Sequence, residues 1–157
     1  MKDIYLTTAR LALRPRTTAE MRALMETERD ADMKKAYAEM LDIMRGLPGR
    51  EEWGSDWLIA LRGGTGIGGV GFKGVPDDSG AVEIGYGVDA EYRGHGYATE
   101  AVRALLEWCA GQPEINAVYA QTEPDNAISQ RVLQKCGFLP CGQGEEGPMF
   151  VVRLKGE

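Results

Sequence analysis

The chain has little of what metal, disulfide and membrane proteins are built from. Its 157 residues include three cysteines and one histidine. Cys109, Cys136 and Cys141 form an odd set without the paired short spacing of a zinc site, and His95 alone cannot complete one. The expectation is no metal, and inert thiols in a reducing compartment. No apolar run approaches the roughly 18 residues that span a bilayer, so no membrane crossing is expected. The opening segment MKDIYLTTAR lacks the apolar stretch of about 7–15 residues that marks a secretory signal, and the expected location is the cytoplasm. Positive charge is also short, because 18 Lys and Arg against 24 Asp and Glu give a formal net charge of −6. That excludes a typical nucleic-acid phosphate binder and suits cationic or amine partners.

What is present reads as one globular domain over 1–157. Hydrophobic residues make up 43% and charged residues 27%, ordinary for a folded protein and too apolar for disorder. A chain of this length buries roughly 70% of its unfolded surface and needs no staples. Glycine is the outlier: 21 of 157 residues, about twice the usual share.

Periodicity supplies the elements. Arg10–Pro15 alternates and stops at proline, a first strand. Thr17 with Glu20 is a capping box opening a helix through Met21, Leu24, Met25 and Glu28. Met33, Ala36, Tyr37, Met40, Leu41 and Met44 form one helical stripe ended by Gly46 and Pro48; it reads as a core face. Trp57–Leu61, Ile67–Phe72 and Val82–Val88 are three strands of a meander. In the last of them Val82, Ile84, Tyr86 and Val88 share one face, and Glu83, Gly85 and Gly87 the other. Ala98 to Cys109 has strong helical spacing, Ala117–Ala120 is a strand, and Asp125–Cys136 is a helix closed by Gly137. Phe138–Leu139 and Phe150–Leu154 are short strands. The class is mixed α/β, in the order β-α-α-β-β-β-α-β-α-β-β.

Two glycine clusters compete for a phosphate. Gly66-Ile67-Gly68-Gly69-Val70-Gly71 is a literal G-x-G-x-x-G, but no helix can open at Pro76-Asp77-Asp78, so it reads as a glycine-rich strand of the meander, with an NAD-dependent oxidoreductase as a third function class resting on this segment alone. Arg93-Gly94-His95-Gly96-Tyr97-Ala98 instead joins a strand to the best helix in the chain. Its unpaired amides make an anion site, Gly94 and Gly96 let the backbone curl, and Arg93 adds a fixed cation. An ordinary turn is the alternative. No Ser, Asp or Asn caps this helix, so a ligand can serve as the cap. His95 reads as a solvated loop residue rather than a base.

The segment VEIGYGVDAEYRGHGYATEAVRALLEWCA from Val82 to Ala110, with Thr122–Ser129 and Cys136-Gly137-Phe138, resembles the GNAT superfamily of acetyl-CoA-dependent N-acetyltransferases. Within it the chain is similar to the branch of the RimJ and RimL ribosomal-protein N-terminal acetyltransferases. Arg93, Gly96 and Ala98 fit the signature (Arg/Gln)-x-x-Gly-x-(Gly/Ala), and Asn126-x-x-Ser129 followed by Gly137-Phe138 fits the second block. The resemblance implies a mixed central sheet of about seven strands flanked by four helices. It implies acetyl-CoA in a gap where strands Val82–Val88 and Ala117–Ala120 splay. The pyrophosphate would sit on Arg93, Gly94, His95, Gly96, Tyr97, Ala98 and Thr99, and pantetheine would run along Tyr86, Gly87 and Val88.

The implied reaction is attack of a primary amine on the thioester within a ternary complex, the acceptor being a protein N-terminus or a small-molecule amine. Glu83 is the candidate base, with a role as a solvent-facing residue or an arginine's partner beside it. Relatives place a tyrosine acid where this chain has Leu133; Ser129 is the substitute, and Asn126 would order the pantetheine arm. Asn126 as a helix cap and Ser129 as a plain helix residue stay open. An acyl-CoA-binding module without amine turnover is the second function class. The acceptor side would be rimmed by the first two helices, Glu51-Glu52 and the Gly142–Pro148 loop. The assembly would be a monomer or homodimer.

Overall fold

The computed structural model describes residues 3–154. In chain order the elements are β1 (Leu6–Thr7), β2 (Leu11–Pro15), α1 (Thr18–Thr27), α2 (Ala31–Arg45), β3 (Asp56–Leu61), β4 (Gly66–Phe72), β5 (Ala81–Val88), α3 (Tyr97–Ala110), β6 (Ala117–Gln121), α4 (Ala127–Lys135), β7 (Leu139–Gln143) and β8 (Pro148–Arg153). The starts follow local chemistry. Thr17 accepts from the Glu20 amide while the Glu20 carboxylate accepts from the Thr17 amide, the full capping box expected of this sequence. Asp30 caps α2 through the Asp32 amide.

The strands form one eight-stranded sheet in the order β1-β2-β3-β4-β5-β6-β8-β7. The expected count of about seven rises to eight through β1, two residues that pair with β2 and are too short to leave a periodic signal. Two single 3-10 turns, Glu51–Trp53 and Ala90–Tyr92, also escaped periodicity. The α4 helix begins two residues later than Asp125, because Asn126 is its N-cap. Among the described strands every pairing is antiparallel except β5 with β6.

That one parallel pair requires a crossover, and α3 supplies it. Ala101, Val102, Leu105 and Cys109 of α3 join Val82 and Ile84 of β5 and Val118 and Ala120 of β6 in the main buried core. Trp53, Trp57, Phe72 and Trp108 extend this core as an aromatic group with ring centroids 4.8–5.7 Å apart. The Met-rich stripe of α2 does pack: Tyr37, Leu41 and Met44 bury with Met21 of α1 in a small second core, while Met33 stays outside. Cys109 is buried, which pushes its thiol up to about 12, so it is chemically inert at neutral pH.

Candidate active site

The site begins where the parallel pair ends. β5 and β6 stay in register from Ala81 opposite Ala117 to Ile84 opposite Ala120. Beyond Ile84, β5 continues to Val88 with only β4 at its side, Gly71 opposite Gly85 and Gly68 opposite Val88. The edge from Gly85 to Val88 therefore faces a gap, and the far wall of that gap is the start of α4. Tyr86 spans it. Its hydroxyl donates to the Ser129 carbonyl at 3.1 Å and lies 2.7 Å from Ser129 Oγ. Burial pushes the Tyr86 phenol up to about 12, against the opposing pull of the Ser129 hydrogen bond, so it remains a neutral donor. Asn126 Oδ1 accepts from the Ser129 amide at 3.0 Å, so the capping role of Asn126 is filled, and it fixes Ser129 in the first turn.

The loop after β5 closes the gap at one end. Gly94 and Gly96 take φ of 82° and 83°, the left-handed region that only glycine enters cheaply, and together they turn the chain into α3. Gly96 is the N-cap and supplies no side-chain hydrogen bond, so the first turn of α3 has no side-chain cap. Arg93 folds back, its Nε donating to the Val88 carbonyl at 2.8 Å. His95 is exposed, as expected of a loop residue.

The loop is held from behind by a residue that sequence reasoning passed over. Arg10 donates through Nη1 to the His95 carbonyl at 2.9 Å and through Nε to Glu100 at 2.7 Å, and its guanidinium lies 4.4 Å from the Tyr97 ring centroid. Thr8 also donates to Glu100. Burial alone would raise Glu100, but the hydrogen bonds from Thr8 and Arg10 hold its carboxyl below the ordinary range. A cavity of about 570 Å³ borders this clamp, lined among others by Arg10, Gly96, Glu100, Arg103 and Lys135.

Glu83 stands on the opposite face of β5 from Ile84, in register with Tyr119 at the base of the fork. Its Oε2 accepts from Lys73 Nζ at 2.9 Å and from Gln121 Nε2 at 2.8 Å. Lys73 Nζ donates also to Glu146 at 2.9 Å, and the Glu146 amide donates to Gln121 Oε1 at 2.9 Å, which closes a ring of four residues. Burial works against the Lys73 ammonium, yet its bonds to Glu83 and Glu146 raise it above the ordinary value. The partner of Glu83 is thus a lysine and not an arginine. Lys73 had a signal: its amide donates to the Glu83 carbonyl across the β4–β5 hairpin, and opposite charges facing each other across strands are a readable pair. A second cavity of about 240 Å³ opens beside Glu83, lined by Asp77, Ser79, Tyr119 and Met149 among others. Leu133 is fully buried in the main core.

Among the described residues no group of three or more His, Cys, Asp or Glu could hold a metal ion, and no helix is long and apolar enough to cross a membrane. The site residues thus fall into three groups around the fork. Tyr86, Gly87 and Val88 line its open edge, Arg93 to Thr99 form its anion-ready end, and Asn126 with Ser129 form the far wall. Glu83 stands at the base.

The acetyltransferase (GNAT) domain family matches residues 7–139. YjdG of Bacillus subtilis (strain 168), named an uncharacterized N-acetyltransferase, is 37% identical over 84 residues, which are 53% of this chain and 50% of YjdG. The chain spans about half or less of the length of the curated relatives it matches most strongly. RimL, a ribosomal alpha-N-protein acetyltransferase solved in complex with coenzyme A, superposes with a TM-score of 0.76 at 18% identity, covering 96% of this chain and 98% of its own. The aminoglycoside acetyltransferase AAC(6')-Ib in complex with coenzyme A gives a TM-score of 0.69 at 22% identity, over 91% and 94% of the two chains. These structures share the fold, and the family match covers most of the sequence: the chain belongs to the GNAT acetyltransferase family.

Proposed function

We propose that this chain is an acetyl-CoA-dependent N-acetyltransferase that moves an acetyl group to a primary amine by direct attack in a ternary complex. The observation that carries the reading is the fork. One strand runs four residues past its last pair with its parallel neighbour, with its open edge leading to an uncapped helix start. Such an edge can bind an extended amide-bearing chain as an added strand, and the helix start can bind a diphosphate. Pantetheine along Tyr86–Val88 and pyrophosphate on Arg93–Thr99 fit coenzyme A end to end. RimL and AAC(6')-Ib carry coenzyme A on the same fold.

The residues then divide the chemistry. Glu83 takes the proton that an ammonium acceptor must lose before its nitrogen attacks the thioester. The tetrahedral oxyanion finds a donor in the backbone N–H of Tyr86, which faces the unpaired edge, whereas alternation along the β4–β5 ladder turns the Gly87 N–H towards β4. Ser129 gives a proton or hydrogen bond to the departing thiolate. Tyr86 supports that step by position: its phenol oxygen lies 2.7 Å from Ser129 Oγ and holds the serine hydroxyl at the wall of the fork. Asn126 acts on the same step through the cap that fixes Ser129, a bond that uses only Oδ1 and leaves its Nδ2 to order the pantetheine arm.

Acceptor classes to test follow from the neighbours' names, ribosomal-protein and aminoglycoside amines. The test is an acetyl-CoA consumption screen over peptide N-termini, polyamines, amino acids and aminoglycosides, with product masses measured. Gly96→Asp is the control. It adds a carboxylate at the proposed diphosphate site and is expected to cost about 2–4 kcal/mol of acetyl-CoA binding. Unchanged affinity in folded Gly96→Asp would overturn the placement. Binding of acetyl-CoA with no acetylated product from any class would favour the acyl-CoA-binding module, a reading to which the Lys73 ion pair on Glu83 lends support.

A further inference from the structure

Lys73 puts a primary ammonium where the proposed reaction needs one. Its Nζ hydrogen-bonds Glu83, the base of that reaction, and its chain crosses the glycine face so closely that a Cβ on Gly85 would lie 3.6 Å from Lys73 Cε. Gly85 is the first residue of β5 beyond the last pair with β6, the mouth of the fork. Glu146 holds the same ammonium from the β7–β8 turn. A tethered amine is thereby kept beside the base and near the reacting end of the thioester path.

We propose that Lys73 is a self-acetylation site, acetylated in cis from bound acetyl-CoA. The inference rests on the acetyl-CoA reading above. The Lys73 ammonium gives one proton to Glu83, and the freed Nζ lone pair attacks the thioester carbonyl carbon. The tetrahedral adduct loses its second nitrogen proton to solvent and collapses with cleavage of the C–S bond. The thiolate leaves with a proton from Ser129 or solvent. Products are an Nε-acetyl-Lys73 amide, free coenzyme A and one released proton. Acetylation removes the cation, so it dissolves both ion pairs, leaving Glu83 with Gln121 and freeing the β7–β8 turn from β4. The modified protein is the form in which Glu83 is open to an external ammonium.

The experiment uses the whole chain and acetyl-CoA alone, with intact mass and peptide mapping. The expected result is one acetyl group at Lys73, gained about tenfold or more faster than at the exposed Lys34 and Lys35, because tethering replaces a bimolecular encounter. The rate per protein molecule stays constant on dilution. Excess coenzyme A suppresses acetylation at Lys73 and leaves Lys34 and Lys35 unaffected. Lys73→Arg, which keeps the cation and the fold, abolishes the fast phase. Even acetylation of all lysines, a rate that falls with dilution, or an unmodified Lys73 in a protein that acetylates added amines would each overturn the inference and leave the enzyme reading intact. Failure to bind acetyl-CoA at all would overturn the reading beneath it.

Discussion

The two faces of β3, β4 and β5 are made from the same strands and have opposite contents. One face carries Trp57, Val70, Phe72, Val82 and Ile84, all buried against α3. The other carries Asp56, Gly69, Gly71, Glu83, Gly85 and Gly87, in cross-strand register Asp56 to Gly71, Gly71 to Gly85 and Gly69 to Gly87. Alternation at period two lets one sequence do both. The full face supplies stability; on the bare face Gly69 and Gly71 lie under Asp56 and the Ser55 carbonyl while Gly85 and Gly87 leave room along β5, so damage to each face should be read out differently.

The largest expected effect comes from emptying the full face. Trp57 is fully buried, stacks with Phe72 and Trp108, and donates through Nε1 to the Glu52 carbonyl at 2.8 Å. Trp57→Ala should cost about 3–5 kcal/mol by chemical denaturation, a large part of a small domain's stability. On the bare face the effect moves from stability to rate. Glu83→Gln keeps shape and should lower kcat by about 10²–10⁴ at neutral pH while changing the melting temperature little. Its deficit should shrink as pH rises, since more acceptor arrives already neutral. A loss under about tenfold at every pH would assign the proton to another group.

Tyr86 lies on the full face but reaches across the fork, and it sharpens the comparison. Ser129→Ala should lower kcat and kcat/KM together by about 10–100-fold, below the usual ceiling because a thiolate leaves readily. Tyr86→Phe should lower them about three- to tenfold with acetyl-CoA affinity unchanged, because it misaims Ser129 without removing it. Wild-type turnover in Ser129→Ala would end the acid role.

The smallest effect belongs to an ion pair at the edge of the bare face. Arg14 holds Glu20 bidentately at 2.8 and 2.9 Å, and that hydrogen bonding, more than the Thr17 contacts, lowers Glu20 from 4.5 to about 2. A depressed carboxylate stabilises the fold above its unfolded value and loses that contribution as pH falls from 4.5 towards about 2. With both side chains about 40% exposed, solvent screens the pair, and Glu20→Gln should cost under about 1 kcal/mol at pH 7. Urea denaturation of both proteins at falling pH should show the gap closing through that window.

What could be read from the sequence was whatever lies close along the chain. Alternation gave β5 and its two faces, the capping box gave α1, and the glycine loop before α3 was found with its uncapped start. What could not be read joins distant residues. Arg10 meets its partners 85 and 90 positions away, and nothing in Ala9-Arg10-Leu11 announces His95 or Glu100. Glu146 sits in an acidic turn that reads as solvated until β7 and β8 bring it onto Lys73. Lys73 and Glu83 are ten residues apart across a hairpin and were within reach, but only once the register was fixed by Phe72 opposite Ile84. Asn126 shows a different limit, since its residue type suits cap and ligand equally, and the cap seen in the structure engages only its Oδ1.

The Arg10 clamp has a consequence for how occupancy can be observed. Because Arg10 ties the His95 carbonyl, the Tyr97 ring and Glu100 to the β1–β2 turn, an anion that orders the loop also steadies a hairpin that is otherwise a two-residue edge strand. Short edges open locally at low cost, and any ligand that prefers the closed form slows that opening by mass action. Amide exchange at Leu6, Thr8 and Leu11 would then report occupancy of the loop before α3, and Arg10→Ala would silence the report while leaving the loop amides in place.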